Sequence, residues 1–313
     1  MNQEEIKTAT RLVPVSSLSS TLPRVLHVQN PFLSKNLYII ESPAAFDILL
    51  KPWTIGRNLV RGARASSIEF LNVLYSISPE FRESTYNTVA EIVPLTGALY
   101  YGIAEAFEKV FDSALNRCFV GARRILKDED WVTEFSYMNF EALPSKPVVL
   151  VGDTIATGGT IKKLLEMTLA ERSDIRAMVV YSIAGGLKGA LKLKELEEEM
   201  GIPLYIFFSN AIFGVEENGT DMPWLHPGTI LSEERQKAVL EVYGEEIGRQ
   251  FCCIWDWGER AKYPIKHLNT LSEEVARRLT RTSEPKSLEF LKKIQIKTEK
   301  ALKKRAEYIH TKT

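Results

Sequence analysis

The residue types best suited to chemistry lie together in Val148-Val149-Leu150-Val151-Gly152-Asp153-Thr154-Ile155-Ala156-Thr157-Gly158-Gly159-Thr160. A fully apolar run of buried-strand length ends at Gly152. A turn of small and hydroxyl residues follows, and a helix is predicted to start near Gly159. The start of a helix presents unpaired amides carrying partial positive charge, which suits a phosphate. Gly158 and Gly159 let the backbone approach an anion with no side chain between them. Thr154, Thr157 and Thr160 supply hydroxyls, and Ala156 keeps the turn small. Asp153, at the strand end, can accept hydrogen bonds from sugar hydroxyls and is the catalytic candidate. Two commoner nucleotide loops do not fit. No Gly-Lys-Ser/Thr occurs in the chain, and Gly152-Asp153-Thr154 breaks the Gly-x-Gly-x-x-Gly pattern.

Strands and helices in alternation must position this turn. Ala90 to Leu95 reads as a short strand ending in Thr96-Gly97, followed by an apolar-striped helix over residues 98 to 113. Cys118 to Ala122 is a strand, and Trp131 to Tyr137 alternates at period two like one arm of a hairpin. Pro147 to Gly152, Ile175 to Ile183 and Pro203 to Phe208 are buried-strand runs, separated by helices at 159 to 171 and 187 to 200. Apolar strands alternating with helices predict an α/β fold, a mostly parallel sheet flanked by helices. Five prolines interrupt residues 1 to 60, although Leu37 to Ile40 is a strand candidate, and this segment is expected to wrap the core. A helix is expected over 62 to 79. The core covers 61 to 230. Residues 231 to 313 read as a helical addition: a helix capped by Ser232 and running to about Gln250, a short segment at 251 to 260, and helices at 271 to 281 and 287 to 309. The last is lysine-rich, which fits the solvated face of an amphipathic helix.

The chain has 313 residues, 45% of them hydrophobic, which is enough to build a core. Basic and acidic residues number 40 each, so no global charge favours nucleic acid or an anionic membrane. Cys118, Cys252 and Cys253 have no metal-ligand spacing and read as apolar thiols in a reducing compartment. No apolar run has the length to span a bilayer and no leader pattern is visible, so a cytoplasmic location is expected.

With its Asp153 and Ala156 to Thr160, the central stretch resembles the ribose-phosphate loop of the type I phosphoribosyltransferases. The resemblance implies that Asp153 meets the ribose hydroxyls and that the turn holds the 5-phosphate of phosphoribosyl pyrophosphate. That family usually carries two adjacent acids, and the first is Gly152 here. Glu91 to Leu99 is similar to its pyrophosphate loop, with Thr96 and Gly97 as the contacts. Leu95 stands where an arginine is common, leaving Arg57, Arg61 or Arg64 to reach in. Gly121-Ala122-Arg123-Arg124 and the run to Leu143-Pro144 resemble the family's mobile arm, from which Arg123 and Arg124 would meet pyrophosphate. Val215 to Leu225 is similar to the stretch leading into the base pocket of the uracil branch, which implies Met222, Pro223, Trp224 and Leu225 as base contacts. In uracil enzymes a Gly-Asp-Ala-Gly-Asp-Arg run follows immediately, whereas here His226-Pro227-Gly228 follows. Asp256-Trp257-Gly258-Glu259-Arg260 is the nearest match, adding Asp256 and Gly258, and a helical insertion would separate the two stretches.

By this resemblance the ligands are phosphoribosyl pyrophosphate or a nucleotide, a small nucleobase and Mg²⁺ carried mainly on the pyrophosphate, and the assembly is a homodimer. No dedicated protein metal site is expected. Two activities stay open: transfer of phosphoribose to a pyrimidine-like base, and non-catalytic sensing of the same ligand as a regulatory subunit. A partner-binding scaffold using the charged C-terminal helices is a third.

Overall fold

The computed structural model describes residues 2–95, 97–127, 130–251 and 257–310. Its elements run α1 (Gln3–Thr8), β1 (Arg11–Pro14), β2 (Val25–Gln29), β3 (Leu37–Ile40), α2 (Pro43–Leu50), α3 (Gly56–Ile77), α4 (Pro79–Arg82), β4 (Val89–Pro94), α5 (Ile103–Phe111), β5 (Asn116–Lys127), β6 (Asp130–Asn139), β7 (Val148–Gly152) and α6 (Gly159–Glu171). They continue with β8 (Ala177–Ser182), β9 (Gly185–Gly186), α7 (Leu187–Met200), β10 (Leu204–Ser209), β11 (Ile212–Phe213), α8 (Glu233–Tyr243), α9 (Glu245–Gln250), α10 (Trp257–Lys262), α11 (Pro264–Leu279) and α12 (Pro285–His310).

Among the described residues one nine-stranded sheet has the order β1-β2-β3-β10-β8-β7-β4-β5-β6. The run from β3 to β5 is parallel, while β1-β2-β3 and β5-β6 pair antiparallel. Strands β4, β7, β8 and β10 are buried at every position, as a sheet covered on both faces requires. One face is filled by Phe70, Leu74, Phe107, Val179 and Phe207, and the other by Val149, Val151, Leu164, Val180 and Leu193. The expected α/β architecture is therefore the observed one.

Three local differences have physical causes. The helix expected over 98 to 113 is broken into a 3-10 turn, Gly97–Tyr100, and α5, because Gly102 takes a left-handed φ of 67°. The helix expected from Ser232 to Gln250 is split at Gly244, with φ 72°, into α8 and α9. The first sixty residues do more than wrap the core. β3 pairs in parallel with β10, Ile206 opposite Leu37, and places Leu37 and Ile39 in the interior.

The C-terminal helices are fastened to the connection between α2 and α3. Arg260, fully buried, donates from Nε and Nη2 to the Thr54 carbonyl at 3.1 and 2.8 Å, and from Nη2 to those of Ile48 and Lys51 at 3.2 Å. His267 Nε2 stands 2.7 Å from the Pro52 carbonyl. Burial, with the Arg260 charge nearby, lowers the His267 pKa from 6.5 to about 4, so the folded chain holds a neutral ring that donates to this carbonyl. Between pH 6.5 and 4 the unfolded chain binds the extra proton. The stabilisation is whole above about pH 6.5 and is lost as the pH falls towards 4. The gap corresponds to about 3 kcal/mol. Urea unfolding at pH 7 and pH 4.5 is expected to show that loss in the native chain and a much smaller one in His267→Gln. Equal pH slopes in the two proteins would refute the assignment.

Candidate functional site at the carboxyl ends of β4 and β7

In the sheet β4 and β7 are neighbours, but the chain leaves them in opposite directions: β4 connects through α5 to β5 on one side, and β7 through α6 to β8 on the other. Their carboxyl ends therefore diverge and open a crevice, the place where ligands bind in open α/β sheets. The turn from Asp153 to Gly158 lies there.

That turn is pinned along its inner edge. Asp153 N donates to the Tyr181 carbonyl and Ile155 N to that of Ala184, both at 3.1 Å. Gly186 N and Gly189 N donate to the carbonyls of Ile155 and Ala156 at 2.6 and 2.9 Å. Close packing at this seam requires glycine. A Cβ on Gly158, which has φ 80°, would stand 2.8 Å from the Gly189 Cα. A Cβ on Gly186 would stand 2.7 Å from the Ala156 carbonyl oxygen. These bonds and contacts all lie on the inner edge of the turn. Gly158 precedes α6 as its cap residue and offers no side chain to cap it, and a Cβ on Gly159 would have no heavy atom within 4 Å. The start of α6 is thus open on its Gly159 side, and its first amides have no partner within the helix.

Asp153 is half-buried, and its Oδ1 accepts from Thr154 N at 2.8 Å. Thr154 Oγ1 lies 3.3 Å from the hydroxyl of Tyr101, which also accepts from Ile183 N at 3.2 Å. Tyr101 thus spans the crevice from the turn after β4 to the turn after β7. Burial, followed by the charge of Asp153, pushes its phenol well above the ordinary value, so it remains a neutral hydroxyl. Gly152 is closed off by the same segment: a Cβ there would overlap the Ile103 Cδ1 methyl and stand 3.1 Å from Tyr101 Cδ1. A side chain at Gly152 would therefore have to displace the Ile103 tip and crowd Tyr101.

Around this centre the structure brings some sequence candidates close and leaves others apart. Thr160 Oγ1 is 2.9 Å from Thr133 Oγ1 on β6, so the hairpin of β5 and β6 lies against the start of α6. Thr157 faces the loop after β11: a Cβ on Gly219 would stand 3.2 Å from its Cγ2. Met222 touches the same seam, its sulfur 3.1 Å from a Cβ placed on Gly186. Pro223 is buried, and Trp224 is fully enclosed between Phe46 and Phe213, at ring-centre distances of 5.5 and 4.8 Å. Leu225 N donates to the Gly248 carbonyl. These three pack inward. Gly97 opens the 3-10 turn after β4, and α10, which holds Gly258, packs against that turn and against α3. Arg57, Arg61 and Arg64 form one exposed stripe on α3, with the stem of Arg64 beside Gly102. Thr96 and Asp256 lie outside the described residues, as do the side chains of Arg123 and Arg124. Among the described residues no group of three or more His, Cys, Asp or Glu is placed to hold a metal, and no helix is long and apolar enough to cross a membrane.

Two contributors were missed in the sequence. Ala184-Gly185-Gly186-Leu187-Lys188-Gly189 cradles the turn, and its signal was a glycine cluster directly after a buried strand. Tyr101 carried no signal, since its role depends on the fold bringing residues 101, 154 and 183 together.

No protein-family model matches the chain, and no curated protein matches it. Solved structures are similar to parts of it, among them the following. The AQ2163 protein from Aquifex aeolicus shares 16% identity over 59% of this chain and 91% of its own, with a TM-score of 0.44. A hypothetical protein from Neisseria gonorrhoeae, solved with bound ppGpp, shares 16% identity over 49% of this chain and 80% of its own, at 0.32. The adenine phosphoribosyltransferase from Thermoanaerobacter pseudethanolicus shares 14% identity over 66% of this chain and 99% of its own, at 0.32.

Proposed function

We propose that this chain binds phosphoribosyl pyrophosphate, or a nucleotide containing ribose 5-phosphate, at the turn from Ala156 to Thr160, and transfers phosphoribose to a pyrimidine-like base. The observation that carries the reading is the uncapped, amide-lined start of α6 at the switch point of the sheet, with Gly159 open above it. The 5-phosphate takes the amides of Gly158 to Thr160 and the hydroxyls of Thr157 and Thr160. Asp153 accepts from the ribose hydroxyls. The turn at Gly97 and the α3 arginine stripe meet the pyrophosphate, and Met222 and the loop at Gly219 border the base. In the transfer the C1–oxygen bond breaks with its electron pair leaving on pyrophosphate, the base nitrogen bonds C1, and the proton of that nitrogen is lost to water or the departing pyrophosphate. The chain's part is to hold the phosphate fixed, offset the charge of the leaving group and keep the sugar oriented. One carboxylate, Asp153, suits a magnesium ion held mainly by ligand oxygens and water, which would neutralise pyrophosphate charge.

A second reading, ligand sensing without transfer, is favoured by one observation: Gly152 supplies no second acid beside Asp153, and the Ile103 tip packs over it. Calorimetry with ribose 5-phosphate, together with pyrophosphate release from phosphoribosyl pyrophosphate across a panel of bases, separates the two. Binding with release supports transfer, and binding without release selects sensing. If neither ribose 5-phosphate nor phosphoribosyl pyrophosphate binds, both readings fail. Asp153→Asn is expected to weaken phosphoribosyl pyrophosphate binding about tenfold, the scale of charge-assisted hydrogen bonds. Unchanged affinity and unchanged transfer in that variant would remove Asp153 from the site.

A further inference from the structure

The start of α6 does not stand alone, because β6 lies along it. Thr133, on β6, is almost fully buried, and its hydroxyl oxygen is 2.9 Å from that of Thr160. The backbone of Thr133 is tied independently: Lys163, one helical turn beyond Thr160, donates from Nζ to the Thr133 carbonyl at 2.9 Å and extends over the Phe135 ring at 5.5 Å. The hydroxyl of Thr133 is thus brought to Thr160 by an anchored strand.

We infer that Thr133 is a positioning residue for phosphate recognition, donating its hydroxyl proton to Thr160 so that the Thr160 proton is directed at the ligand. The inference rests on the ribose-phosphate reading of the turn. Its logic is one of hydrogen-bond polarity. A hydroxyl has one proton to give and two lone pairs with which to accept. A phosphate monoester dianion offers only acceptors, so Thr160 must donate to it. The contact between Thr133 and Thr160 then survives only if Thr133 donates. Lys163, by holding the carbonyl of Thr133, keeps the strand where the Thr133 hydroxyl reaches Thr160. The resulting chain, Thr133 to Thr160 to phosphate, points in one direction, and each bond polarises the next. Without the anion the pair can run either way. Phosphate binding therefore selects one orientation and tightens β6 on α6, and the coupling is reciprocal.

The test compares Thr133→Val and Thr133→Ser with the native full-length chain. Valine keeps the shape and removes the hydroxyl, whereas serine keeps the hydroxyl and removes the methyl. Calorimetry with ribose 5-phosphate is expected to show affinity about fivefold weaker in Thr133→Val, as for one lost hydrogen bond, and near-native affinity in Thr133→Ser. Native affinity in the valine variant, or an equal loss in the serine variant, overturns the inference while leaving the ribose-phosphate reading standing. Absence of ribose 5-phosphate binding by the native chain overturns that reading, and the inference with it. Hydrogen exchange on the native chain gives a result that does not depend on either variant folding. Ribose 5-phosphate is expected to slow exchange of the amides from Thr133 to Phe135, and exchange there that is indifferent to the ligand refutes the coupling.

Discussion

Gly159→Val is expected to fold like the native chain and to lose at least a hundredfold in affinity for ribose 5-phosphate. The two halves of that result have separate causes. Gly159 is the first residue of α6, and its backbone needs no left-handed φ. A Cβ there meets no heavy atom within 4 Å, so the added side chain displaces nothing, and stability is expected to stay within about 1 kcal/mol of native. The open space is where the proposed ligand sits, and the valine methyls would occupy the van der Waals volume of a phosphate oxygen. Gly158→Val is the contrasting control. With φ 80° and the Gly189 Cα 2.8 Å from a Cβ, it is expected to lose stability as well as binding. Thermal melting and calorimetry on both variants check the pair. A Gly159→Val protein that binds ribose 5-phosphate normally would show that the start of α6 is not the phosphate site.

Gly152→Asp is expected to destabilise the fold by about 3 kcal/mol or more rather than to restore an acid pair. In the resembled family this position usually carries the first of two acids, so the substitution looks like a repair in the sequence. The structure argues the reverse. Gly152 is the last, buried residue of β7, and a Cβ would overlap Ile103 and crowd Tyr101. Forcing atoms into a filled core costs about 1–3 kcal/mol, and a carboxylate there would add the cost of an enclosed charge. Denaturant midpoints measure the loss. Relief by the second substitution Ile103→Ala would show that the clash is its source. A Gly152→Asp protein of native stability with increased transfer activity would invert the argument.

These two glycines also show how far the sequence could be read. Val148 to Thr160 announced a strand, a turn and a helix because buried strands, glycines and helix starts leave local signatures, and the structure has all three. The alternation of strands and helices fixed the parallel sheet for the same reason. What could not be read locally was how the surroundings meet the turn. Nothing in the sequence near Tyr101 says that its hydroxyl will reach Thr154, or that Ile103 will fill the space over Gly152. Thr133 falls in a hairpin whose period-two pattern gives the strand but not the helix it lies against. Trp224, in a stretch similar to a base-binding one, packs between Phe46 and Phe213 because an indole in a loop gains more from an aromatic core than from solvent.

The pairing of β3 with β10 has a consequence for how the chain is made. Leu37 to Ile40 leaves the ribosome before the strand that receives it, Leu204 to Ser209, and most of the core lies between them in the chain. The carbonyls of Ile48, Lys51, Thr54 and Pro52 wait longer still, for Arg260 and His267. Contacts between residues so distant in sequence close large loops before they gain anything, which slows folding and prolongs exposure of unpaired strand edges. During synthesis the β1-β2-β3 meander can form alone, but its apolar edge stays open until β10 emerges. Fragments ending between α7 and β10 are therefore expected to be the most aggregation-prone nascent forms of this chain.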